Sequence, residues 1–145
     1  MTRLDAYGIG VDVPDGWEAR AFRHAGGEPT IHLATFALPP SDGEFGTRAT
    51  ARMGADAVFV CLTEYVVDDA ELTHGIFAHP PPRRLGPELL RPNTLLRPVA
   101  GQVGVQRFFS LSGRAFCLYV VVGRDGLQRL AGVNDVLATL AVAPQ

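Results

Sequence analysis

The chain has no lysine; all 13 of its basic residues are arginine. That absence removes a Walker-type phosphate loop, a Schiff-base lysine and a lysine general base at once. GC-rich codon usage produces such an arginine-only set. Cysteine is nearly as scarce. Cys61 and Cys117 each sit mid-strand between apolar neighbours, so they read as small buried hydrophobes and supply no disulfide framework. No apolar run approaches the ~20 residues that a membrane-spanning helix needs. Met1-Thr-Arg-Leu-Asp-Ala-Tyr-Gly8 carries an early Asp and no apolar stretch of signal-peptide length, so a soluble cytoplasmic protein is the expectation. The formal net charge of −2 gives no field to gather nucleic acid or an anionic membrane.

What remains is a globular composition, 47% hydrophobic and 19% charged over 145 residues. It reads as one domain spanning 1–145, long enough to bury about two-thirds of its unfolded surface. The strongest patterning lies in 103–142. Val103–Leu111 and Arg114–Val122 predict a hairpin closed by Ser112-Gly113, and Leu127–Leu140 predicts an amphipathic helix. Leu127, Leu130, Val133, Val136 or Leu137, and Leu140 form the buried stripe of that helix, with Asp125 as candidate N-terminal cap. A strand as apolar as Arg114–Val122 needs cover on both faces.

Upstream, Tyr7–Val13, Trp17–Arg23 and Thr30–Leu38 predict three strands of an antiparallel meander, with Pro14-Asp15-Gly16 as the first reversal. Trp17 reads as an anchor at the end of the core, and His32 as a half-buried histidine among apolar neighbours. Thr47–Met53 suits two short helical turns, with Arg48 and Arg52 on one side. Ala57–Tyr65 is a second strongly apolar, central strand, and Glu64 near its end is placed to reach solvent. Together these elements predict an α+β fold: an antiparallel sheet of about six strands with the C-terminal helix on one face. The opposite face then needs closing by the proline-rich stretch, by Thr47–Met53 or by a second copy of the chain, which makes homodimerisation an expectation.

Residues 79–98 are irregular by composition. His79-Pro-Pro-Pro-Arg-Arg-Leu-Gly-Pro87 cannot supply ladder hydrogen bonds through its prolines, and Pro92 and Pro98 extend the break. A tract of this length inside a domain serves a function or covers part of the core.

No motif in the chain names an activity. Asp68, Asp69, Glu71, His74 and His79 are metal-ligand types, but helix-borne His spacing is absent and Gly75 and Pro80 interrupt the segment, so no metal site and no cofactor are expected. The cysteines lie in the least polar stretches, away from any activating imidazole. There is no Gly-x-Ser-x-Gly, and Gly8-Ile-Gly10 leads into a strand and not a helix. Arg83, Arg84, Arg91 and Arg97 are too sparse, and too free of aromatic neighbours, for a nucleic-acid surface. Pro81, Pro82, Arg83 and Arg84 instead suit protein recognition, because a polyproline segment loses little entropy on docking and arginine adds directional contacts.

Val13-Pro-Asp-Gly-Trp17, followed by an antiparallel meander and a closing strand and helix, resembles the PsbP-like fold. That fold belongs to extrinsic photosystem subunits and to nuclear-transport relatives that bind a small GTPase. The resemblance implies a sandwich of helices and sheet with a non-enzymatic accessory role; it carries over no functional residue, and the family's targeting segments have no counterpart. The reading that follows is a non-enzymatic protein-binding or assembly module, with a protein partner or self-association. The alternative is a small enzyme whose site at the sheet edge uses Glu64, His74 or His79.

Overall fold

Two tight reversals set the outer strands. Tyr7-Gly8 (φ 55° and 76°) and Ser112-Gly113 (φ 56° and 74°) both take the paired left-handed angles of a two-residue hairpin, which glycine enters without steric cost. In the computed structural model, which describes residues 1–145, the first joins β1 (Thr2–Ala6) to β2 (Ile9–Val13) and the second joins β6 (Val103–Leu111) to β7 (Arg114–Val122). Tyr7 is therefore a turn residue and not the start of a strand. β1 pairs with β2 and is held by contacts from Arg3 to Asp12; Thr2, Arg3 and Asp5 are exposed, while Leu4 and Ala6 are half-buried against the core.

The remaining strands are β3 (Glu18–Arg23), β4 (Pro29–Ala34), β5 (Val58–Tyr65) and β8 (Ala141–Val142). They build two antiparallel sheets, β1-β2-β8 and β3-β4-β5-β7-β6. The fold is α+β with antiparallel sheets, but the expected sheet of about six strands is corrected to eight strands in two. The expected meander is corrected with it. Trp17 N donates to Pro14 O (3.1 Å) across a turn that hands the chain from the small sheet to the large one, so β2 and β3 never pair. β2 pairs instead with β8, which follows the last helix.

The helices are α1 (Thr47–Ala51), α2 (Asp69–His74) and α3 (Leu130–Thr139), the last preceded by a 3₁₀ turn over Leu127–Arg129. Asp125 does not cap it: Gly126 and Arg129 hold the cap positions and neither makes a side-chain cap bond. Leu130, Val133, Val136 and Leu137 of α3 share one core with Ile9, Val11 and Val13 of β2 and with Ile31, Val60, Leu118 and Val120 of the large sheet. Thus α3 and the small sheet lie together on one face. Trp17 packs on this layer, so close to Gly132 that a Cβ there would come within 2.7 Å of its ring. No helix is long and apolar enough to cross a membrane.

The other face is closed without help from a second chain. Thr35–Met53, including α1, and Leu95 lay Phe36, Leu38, Phe45, Ala49 and Met53 over Phe59, Cys61, Tyr119 and Val121. Asp42 starts α1, accepting from Gly43 N and Arg48 N through Oδ1 and from Ala49 N through Oδ2, at 2.9–3.0 Å. The proline-rich tract lies on the α3 side. Arg83 Nη1 donates to Leu137 O and Leu140 O (3.1 and 2.6 Å) at the end of α3, where Leu137 O also accepts from Leu140 N (3.4 Å). Leu85 N and O bond the Asn134 amide at 2.8 and 3.1 Å, and Leu85 and Leu90 enter the core.

Candidate functional site

Register alone places Arg20, His32, Cys61, Tyr119 and Gln106 in one row across all five strands of the large sheet. Each holds a covering loop by a backbone group. Arg20 donates to Pro39 O (3.0 Å), His32 Nε2 and Cys61 Sγ meet Glu44 O (2.7 and 2.9 Å), Leu96 N donates to the Tyr119 hydroxyl (3.0 Å), and Gln106 donates to Thr94 O (3.1 Å). Because Glu44 O only accepts, His32 Nε2 carries the proton. Burial lowers the His32 pKa. Burial also raises both thiols, Cys61 well above the usual range and Cys117 to about 12, so neither is a thiolate near neutral pH. This row is scaffolding for the loops.

Glu64 does not reach solvent. Its side chain is 3% exposed and lies against Arg114, whose side chain is 4% exposed. Arg114 donates through Nε to Oε2 (2.9 Å) and through Nη2 to Oε1 (2.7 Å), a bidentate pair on neighbouring strands. It also donates to Tyr7 O (2.9 Å) and Ala143 O (3.0 Å), and Gln145 Nε2 reaches Glu64 Oε2 at 3.3 Å. The hydrogen bonds that Arg114 donates to Glu64 raise the Arg114 pKa. Sequence reasoning noticed Glu64 and passed over Arg114. The available signal was a cation at the first position of the most apolar strand, directly after a tight turn.

His74 is exposed at the end of α2, and His79 lies in a different hollow from Glu64, so the structure does not bring the three together. Asp68 accepts from Glu71 N (2.8 Å) as the cap of α2, with Asp69 and Glu71 in its first turn, where carboxylates complement the helix dipole. No three His, Cys, Asp or Glu side chains gather where they would hold a metal ion.

A hollow with a defined lining lies beside β6. It is a groove of about 560 Å³ lined by Ile76, His79, Pro80, Pro81, Pro82, Gln106, Arg107 and Phe108. β6 is an edge strand, and its outward backbone groups alternate with those facing β7. At one end Arg91 and Gly104 exchange two hydrogen bonds (2.9 and 3.0 Å), with Thr94 Oγ1 also donating to Gly104 O; at the other, Ser110 N donates to His79 O (3.0 Å). Between these ends the outward residues are Gln106 and Phe108. Neither N–H has a partner in the protein, and Gln106 O accepts only from Arg107 Nη1 (2.9 Å). The reason is local chemistry. Pro80, Pro81 and Pro82 have no N–H, so the chain leaves the edge after His79 and crosses to α3. Pro81 and Pro82 thus form a wall of the groove, Arg84 is exposed, and Arg83 is spent on the end of α3. A smaller hollow of about 240 Å³ lies among Gly54, Gly101, Gly123 and Arg124; Gln102 lines it and has an unpartnered Oε1.

No protein-family model, no curated protein and no solved structure matches this chain.

Proposed function

We propose that the protein is a non-enzymatic binding module that holds a partner protein in the groove beside β6. The observation that carries this reading is the unpaired stretch of β6 at Gln106 and Phe108, between two places where the chain's own backbone completes the edge. An open sheet edge is a template for an incoming backbone, and natural proteins normally cover it, twist it away or charge it. Here Arg107 charges the edge, but the floor beside it is apolar, with Phe108 set edge-on to Phe77 at 5.6 Å and Ile76 60% exposed at the rim. The proline wall is stiff before binding, which reduces the ordering cost of docking. An assembly role and a cytoplasmic location go with this reading, the latter because two buried free thiols suit a reducing compartment.

The enzymatic alternative asks Glu64 for a free carboxylate, and that carboxylate is engaged by Arg114 and Gln145. Selection from a displayed library of random seven-residue peptides tests the binding reading. Selected peptides are expected to shift the backbone amide resonances of Gln106 and Phe108. Selection that yields nothing, or only peptides that bind elsewhere, overturns it.

A further inference from the structure

We infer, building on the binding reading above, that the occupant of the groove is a short extended segment bearing carboxylates, docked as an added strand on β6. The vacancy in the edge has a measurable length. The chain spends twelve residues going from His79 to Arg91, while β6 advances only six, from Ser110 to Gly104. The extra chain bows out to α3 and leaves a gap in the ladder that it does not fill. At ~3.4 Å per residue, the free stretch around Gln106–Phe108 takes about three residues of guest backbone. The two unpartnered N–H groups supply donors for guest carbonyls, and Phe108 O is free to accept.

Charge selects among extended segments. The lining contains Arg107 and His79 and no acidic residue, and the exposed Arg91 stands at the closed end of the gap. Arg107 Nη1 already sits on Gln106 O, holding its guanidinium over the edge where a guest side chain emerges. A carboxylate there makes a charge-assisted hydrogen bond, and a cationic guest meets like charge. Because side chains alternate along a strand, the matching guest alternates acidic residues with small apolar ones that settle against Ile76, Phe108 and the prolines.

Three capped hexapeptides alternating valine with glutamate, lysine or serine decide the matter, read by amide resonances of the full-length protein. The glutamate peptide is expected to move the Gln106 and Phe108 amides, to bind more weakly as salt rises, and to lose about tenfold in affinity against Arg107→Glu. Arg107 is exposed, so that variant folds; its unchanged thermal midpoint verifies this. If the lysine or serine peptide binds the same amides as well, the acidic preference is wrong and the binding reading survives. If a library-selected peptide occupies the groove while the glutamate peptide does not, the same conclusion follows. Sedimentation showing self-association that Arg107→Glu abolishes would put a second copy in the groove and overturn the assignment.

Discussion

The two faces of the large sheet are closed by different means. On one, α3 and the β1-β2-β8 sheet press regular, apolar surfaces against Ile31, Val60, Leu118 and Val120. On the other, irregular loops are tied down by a row of polar side chains running strand to strand from Arg20 to Gln106. The first face draws its stability from area removed from water, a non-directional effect roughly proportional to that area. The second adds directional bonds, each of which fixes where one loop backbone lies. Loops have no stripe or pleat to register against the sheet, so hydrogen bonds do the aligning. The open groove lies where that alignment stops, past Gln106 at the outer strand.

Substitutions separate the two modes. On the apolar face, Phe116→Ala is expected to cost about 4 kcal/mol, because the fully buried ring stacks on Phe109 at 5.5 Å and its loss leaves a cavity. Urea unfolding measures this; a loss below 1 kcal/mol would mean the core there collapses freely. Next comes the buried pair beside it. Glu64→Leu should cost about 3 kcal/mol by leaving Arg114 buried without its partner, and adding Arg114→Met should recover most of that loss. A double variant no better than the single one would show that the Arg114 bonds to Tyr7 O and Ala143 O matter more than the ion pair.

The polar face should give smaller effects. Tyr119→Phe removes the acceptor for Leu96 N and is expected to cost about 1–2 kcal/mol, with faster amide exchange confined to the 92–96 segment. A global change in exchange would count against loop tethering. His32 supplies a pH signature. Its folded pKa is lowered by burial, so the unfolded chain binds the extra proton first. Its contribution is present above the unfolded value of about 6.5 and is lost as pH falls through 6.5 toward the folded pKa. His32→Gln, which keeps a donor for Glu44 O, should flatten the melting profile between pH 7 and 5 relative to wild type. Parallel profiles would place the acid sensitivity elsewhere. The smallest effect is Arg107→Glu, within about 0.5 kcal/mol of wild-type stability, since Arg107 contributes to the groove and not to either core.

The parts of the molecule governed by local periodicity were legible in the residues. The hairpin Val103–Leu111 and Arg114–Val122 falls where alternation and Ser112-Gly113 place it, and β5 and α3 lie within the expected stretches. What escaped was nonlocal. β1 offers only Leu4 and Ala6 to the core, an alternation too brief to announce a strand without its pairing to β2. Thr35–Leu38 keeps the apolar character of a strand, yet β4 ends at Ala34, and Thr35 Oγ1 turns to accept from Val58 N (3.0 Å) as the chain swings over the sheet. The proline tract was recognised as irregular, but nothing local says that Arg83 reaches α3 or that Pro80–Pro82 border an unpaired edge. Composition draws attention to Pro81 and Pro82 but not to Gln106, Arg107 and Phe108, which line the same groove, because an open edge belongs to the pairing of two distant segments.

Arg114 joins partners separated from it by 107, 50 and 29 positions in the chain: Tyr7, Glu64 and Ala143. Such a junction closes only after both sheets are formed and docked. Contacts of that kind belong to the native side of the folding barrier, so weakening them should leave the folding rate nearly unchanged and shorten the lifetime of the folded state. The pair thus acts as a latch on the finished protein, setting how long it persists more than how fast it is made.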